Sequence, residues 1–245
     1  MVRGVADVYR IKELAAWKRR QYLVYLGLCL GVGGLTAIVG YSDSAAFQRF
    51  IGRINPLLAF VCVAFLGLVL SSIVLSRGWF AIYRPGNVNG LLRSSGIAAL
   101  FGLAIILVDL IIVFPADMNV SFPDSLPFYP AVGFLVEILF HVLPLSLLLI
   151  LLSAVFRHTS HRRVMWICIA MVSLIEPIYQ AIDMASANRY PPWAVAYVFL
   201  HVFLINLFQL FIFARYDFVS MYAFRLVYYM FWHIGWGYLR LDLLF

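Results

Sequence analysis

A small set of polar side chains sits in stretches otherwise suited to hydrocarbon. Glu137 and His141 are four residues apart and share a face of any helix that carries them, as do Glu176 and Gln180. His201, Asn206, Arg225 and His233 fall within the apolar, aromatic residues 197–238. An ionisable group near the centre of a bilayer costs roughly 2.5–3.5 kcal/mol on insertion scales, so such groups face one another or a wet cavity. The available chemistry follows from the types. A carboxylate can take a proton from water, and imidazoles can position that water, stabilise an oxyanion or ligate a metal or haem.

The elements that must position these groups follow from composition. A chain of 245 residues that is 64% hydrophobic and 12% charged, with mean hydropathy +0.96, has more apolar surface than one soluble core can hide. It is expected to be all-α, a polytopic transmembrane bundle in a single domain over 1–245. Spans are predicted at 21–41, 56–75, 96–114, 131–156, 164–183, 193–213 and 220–239, about seven in all, the last carrying Arg225. Residues 1–20 are predicted to form a basic amphipathic helix on the inner membrane surface, with 21–245 as the bundle. The first apolar run reads as a retained span rather than a signal peptide. Turns are expected at Arg84-Pro85-Gly86-Asn87, 115–130, 157–163 and 188–192. Continuous apolar runs disfavour a β-barrel.

The positive balance reflects membrane topology rather than nucleic acid, which is not expected as a partner. With the N-terminus cytoplasmic, thirteen of the 18 Lys and Arg fall in inner connections. Four, namely Arg49, Arg53, Arg189 and Arg240, fall outside, and Arg225 lies in a span. That points to the plasma membrane, with the lipid bilayer as the chief partner. Cys29, Cys62 and Cys168 read as small buried hydrophobes.

Counting about 1.5 Å per residue from the outer span ends puts Glu137, Glu176, His201 and His233 roughly 9–12 Å deep, four groups from four helices at one level. Pro177, and Pro144 one turn below His141, should each free a backbone carbonyl nearby. Blander readings apply elsewhere. Asp109 reads as structural, a partner for a histidine, and Arg225 as a structural residue snorkelling to the inner interface. The run Tyr228, Tyr229, Phe231 and Trp232 reads as packing, and His158 and His161 as a solvated inner loop.

Val136-Glu137-Ile138-Leu139-Phe140-His141 resembles the first motif, Glu-Glu-x-x-x-Arg, of the CAAX protease and bacteriocin-processing (CPBP) family of intramembrane endopeptidases. Tyr197-Val198-Phe199-Leu200-His201 resembles its second motif, an aromatic residue followed by His four residues on. His233 to Gly237 falls where the third, His-x-x-x-Asn/Asp, would come. The resemblance runs from about Phe134 to the end. Val136, His141 and Gly237 depart from the pattern, and Glu176-Pro177-Ile178-Tyr179-Gln180 offers another alignment for the first motif. The resemblance implies that Glu137 polarises a water for attack on a peptide carbonyl, with His201 and His233 positioning the water or stabilising the oxyanion. The implied partner is a membrane-associated peptide or protein. The candidate site is Glu137, His141, Glu176, His201 and His233, and the motifs name no cofactor. Two other readings use the same cluster: a non-catalytic transporter or accessory or immunity protein, and a haem or metal protein using His141, His201 and His233.

Overall fold

The computed structural model describes every residue except Met1, Asp43, Asn188 and Arg189, and the side chains of all of these but 2–13, 42, 44, 45, 49 and 50. The described residues are helices joined by short connections. In order they are α1 (Val2–Ser42), α2 (Ser44–Ile51), α3 (Pro56–Ser76), α4 (Val88–Ile112), α5 (Ser125–Val136), α6 (Leu143–Val155), α7 (His161–Val172), α8 (Ile175–Ala187), α9 (Pro192–Arg215), α10 (Phe218–Tyr229) and α11 (Gly237–Leu244). Wider π-helical segments, Glu137–Val142 and Met230–Trp236, join α5 to α6 and α10 to α11 without interruption.

Among the described residues six helical stretches are long and apolar enough to cross a membrane: Leu14–Tyr41, Pro56–Ser76, Val88–Ile112, Ser125–Val155, His161–Ala187 and Pro192–Arg215. The chain is a helical integral membrane protein. The seventh expected span exists as the unbroken helical stretch from α10 to α11 but is not among those six. Arg225, His233 and Arg240 make it more polar, and it is protein, not lipid, that covers Phe224, Arg225, Tyr228 and Trp232. The N-terminal leader is helical as predicted, yet it runs into the first span without a break instead of forming a separate piece. Its Lys18, Arg19 and Arg20 are exposed, whereas the side chains of Arg3, Arg10 and Lys12 lie outside those described.

Burial is distributed as lipid solvation requires. Leu30, Leu58, Phe65, Leu100, Leu107 and Ile111 are large apolar residues facing outward. The interior is aromatic, with Phe134 of α5 meeting Tyr25 of α1, Phe60 of α3 and Tyr222 of α10 at ring-centroid distances of 5.9–6.1 Å. Polar ties fix the helices in register. The Tyr25 hydroxyl donates to the Ala64 carbonyl at 2.8 Å and Tyr222 to that of Pro130 at 2.7 Å.

The expected turn at 84–87 has Gly86 at φ 78, a conformation glycine adopts without the penalty of a Cβ. The start of α10 holds it in place. Asp217 caps Ser220 N–H at 2.8 Å and also accepts from Arg84 N–H at 2.8 Å. Pro177 has the effect expected of a residue without an amide hydrogen. The helix breaks at Ser173 and Leu174, one turn before it, so that α7 and α8 can set different faces inward.

Candidate functional site

Pro144 cannot donate to the Phe140 carbonyl, and the chain before it widens into a π-helical segment in which Leu143 N–H reaches Ile138 O. Glu137 and His141 remain one turn apart, Nδ1 to Oε2 at 2.8 Å, both without exposed surface. The other carboxylate oxygen is also taken. Arg225 Nε donates to Oε1 at 2.5 Å, and Gln209 Nε2 donates to the same atom.

Arg225 is the hub of this network. Its Nη2 reaches Gln209 Oε1 at 3.0 Å and Glu176 Oε2 at 3.3 Å, and its Nη1 donates to the Tyr229 hydroxyl at 3.0 Å. Gln180 donates to Glu176 Oε1 at 3.2 Å. One guanidinium is thus shared between carboxylates from two spans. The expectation that Arg225 snorkels to the interface is corrected: it is 4% exposed, because acceptors on three helices lie nearer than water does.

On the Glu176 side lies a cavity of about 120 Å³, walled by α4, α8, α9, α10 and the π-helical segment Met230–Trp236, with Phe114 and Met118 also in its lining. Glu176, Gln180, His201, Asn206, Arg225 and His233 supply its polar lining. Of the sequence-predicted residues, then, Glu176, His201 and His233 share one cavity. Glu137 and His141 do not line it and lie behind Arg225.

His201 is held loosely. The Tyr197 hydroxyl is 3.4 Å from Nδ1 and that of Tyr228 3.4 Å from Nε2, with the Tyr197 ring stacked at 5.5 Å. His233 is held firmly, its Nδ1 2.7 Å from Asn119 Oδ1 and its ring stacked on Tyr129 at 4.4 Å. With Asn119 Oδ1 as acceptor, the matching tautomer carries its proton on Nδ1 and leaves Nε2 as an acceptor. Gly235 permits the widened helix here, since a Cβ on it would stand 2.9 Å from the Met230 carbonyl oxygen.

Asp109 does not pair with a histidine. Its oxygens take Arg240 Nε at 2.7 Å, Arg240 Nη2 at 2.9 Å, Trp236 Nε1 at 2.6 Å and Phe114 N–H at 2.8 Å. Arg240 completes its shell on the carbonyls of Phe114 and Pro115 and has no exposed surface, so it is no loop cation as the topology count took it to be.

The three imidazoles invoked for haem or metal do not converge, since His141 is turned to Glu137. Among the described residues no group of three or more His, Cys, Asp or Glu is placed to hold a metal ion. His161, expected in a solvated loop, is exposed at the start of α7 and stacks on Trp79 at 5.5 Å. Sequence reasoning read Tyr228 and Tyr229 as packing, named Asn206 among the polar groups without a role, and did not single out Gln209 or Asn119. A usable signal existed for Gln209, which follows His201 by about two helical turns and so shares its face. Asn119 had none, because it lies on a connection remote in sequence from His233.

No protein family, curated protein or solved structure matches the chain. What the fold and the site define is a helical integral membrane protein with a polar, partly charged cavity between its spans.

Proposed function

We propose that the domain is an intramembrane endopeptidase, a divergent member of the CPBP family, in which Glu176 takes the water-activating role that the motif resemblance gives to Glu137. The observation that carries this reading is the division of the two carboxylates. Glu176 lines the cavity with His201 and His233 and is held only by long contacts, from Gln180 at 3.2 Å and Arg225 at 3.3 Å, whereas Glu137 does not line it, has no exposed surface and is bound at 2.5 and 2.8 Å. In the proposed reaction Glu176 takes a proton from water as the water oxygen bonds to a peptide carbonyl carbon. His233 Nε2 accepts a hydrogen bond from that water, and an N–H of His201 donates to the oxyanion. Collapse expels the amine, which receives the proton from Glu176, leaving a carboxylic acid and an amine. Glu137 and His141 act through Arg225, as positioning residues.

The distribution of Lys and Arg supports a cytoplasmic N-terminus, and the burial of Arg240 with Asp109 removes one of the four cations counted outside. In that orientation the cavity, which Phe114 and Met118 help to line, lies toward the outer face and suits an exported or envelope peptide. A C-terminal reporter that is active only outside the cytoplasm should then be active.

The test of catalysis compares N-termini of membrane and envelope proteins by mass spectrometry in cells producing the wild type, Glu176→Gln or His201→Ala. New termini should appear with the wild type and fall by about a hundredfold or more in both variants at equal protein level. Termini that persist undiminished in Glu176→Gln would rule the reading out. One observation favours the second reading, a non-catalytic transporter or accessory or immunity protein. Arg225 engages both carboxylates, so neither is free of an ion pair. Complete absence of new termini would support it.

A further inference from the structure

Asn206 on α9 lines the cavity, has no exposed surface, and neither its Oδ1 nor its Nδ2 has a hydrogen-bond partner. Buried carboxamides are normally paired, because desolvation without a replacement partner is unfavourable. The cavity residues next to it in sequence, Val202 and Ile205, are apolar and offer their side chains no polar atom. We propose that Asn206 binds the main chain of a substrate peptide, accepting from the N–H and donating to the C=O of one residue in an extended segment.

The chemistry of the two partners argues for this. A carboxamide presents one acceptor and paired donors side by side, and an extended residue presents the complementary N–H and C=O on one edge. A helix spends those groups on itself. A segment unwound for cleavage exposes them away from bulk water, and side chains of the cleft can satisfy them. Because Asn206 carries no exposed surface, the proposed binding requires the cavity to widen. This rests on the peptidase reading of the cavity.

Full-length protein in lipid nanodiscs is titrated with N-acetylglycine N-methylamide, the smallest blocked residue, and with the analogue that has an ester oxygen in place of the glycine N–H. Binding is followed by saturation-transfer NMR. The amide should bind about tenfold more tightly than the ester, the equivalent of one buried hydrogen bond. Asn206→Leu should abolish that preference, and Glu176→Gln should retain it. Equal affinity of amide and ester in the wild type, no saturable binding, or a preference that survives Asn206→Leu would overturn the assignment. The two readings fail separately. An Asn206-dependent preference together with undiminished cleavage by Glu176→Gln retains the peptide site and sinks the catalytic role, and the reverse pattern does the opposite.

An independent observation concerns Asn119, which holds His233 Nδ1. Its side chain fills the notch left by Gly237: a Cβ there would stand 3.1 Å from Asn119 Nδ2 and 3.2 Å from its Cβ. Gly237 follows His233 by four residues, the helical spacing from which a side chain would itself reach the imidazole. We infer that Asn119 is a positioning residue that replaces, from a connection, the partner the helix lacks, and that it holds His233 as the Nδ1–H tautomer. Nitrogen NMR of ¹⁵N-histidine protein should show Nδ1–H at His233 in the wild type and in Asn119→Asp, which keeps the acceptor. Asn119→Gly should populate Nε2–H, and adding Gly237→Asn should restore Nδ1–H. An unchanged tautomer in folded Asn119→Gly, or no restoration in the folded double variant, would refute the role.

Discussion

At Arg240 the guanidinium meets one carboxylate, in two parallel bonds at 2.7 and 2.9 Å, and two backbone carbonyls take the remaining donors. At Arg225, on the same helical stretch, one guanidinium is divided between Glu137 at 2.5 Å and Glu176 at 3.3 Å, with Gln209 and Tyr229 taking the rest. The first arrangement is balanced in charge and closed to the cavity. The second has a carboxylate to spare and borders the cavity with it. Buried ion pairs contribute little net stability compared with well-packed apolar groups, but breaking one strands a charge. The contrast therefore separates a clamp from a working site. What the Arg240 clamp holds is visible in the backbone. Val113, a β-branched residue at φ 54, is followed by Phe114, whose N–H and C=O are bound by Asp109 and Arg240 respectively. Phe114 in turn lines the cavity.

The sharpest way to break the contrast is to remove the clamp. Arg240→Leu leaves Asp109 charged and buried, and should cost about 3–5 kcal/mol, read as a large fall in the midpoint of thermal unfolding in detergent. Glu137→Gln should cost less, about 2 kcal/mol, because the amide keeps an acceptor for Arg225 while Glu176 still supplies a charge. Glu176→Gln should cost least, below about 1 kcal/mol, since its contact with Arg225 is long and its side chain keeps some exposure. Cleavage should follow the opposite order for the two glutamates, with Glu176→Gln removing it and Glu137→Gln reducing it through displacement of Arg225. If Glu176→Gln proved the most destabilising of the three, the division into clamp and working site would be wrong.

Much of this was legible beforehand, for reasons that are local. Apolar runs long enough for the bilayer, interrupted by Arg84-Pro85-Gly86-Asn87 or the prolines before α9, specify helices and breaks without reference to the rest of the chain. Pro177 announced the α7–α8 break and Pro144 the irregularity below Glu137. The seventh helix was harder to place, because its polar residues mark contact with other spans rather than with lipid. Arg225 and Asp109 were misjudged for a related reason. Snorkelling and pairing with histidine are the local options for such residues, whereas their actual partners, Glu137 for one and Arg240 for the other, are remote in sequence.

By itself the sequence determined the helical spans and, by a count of residues along each of them, an expected common depth for the polar groups. Glu137, Glu176, His201 and His233 came out at one level on that count alone. Which of them share a cavity is decided by rotation about each helix axis and by which neighbour fills which gap. Those depend on contacts between spans, so only the tertiary structure could turn Glu137 onto Arg225 and His141, leave Glu176 facing the histidines, and seat Asn119 against Gly237.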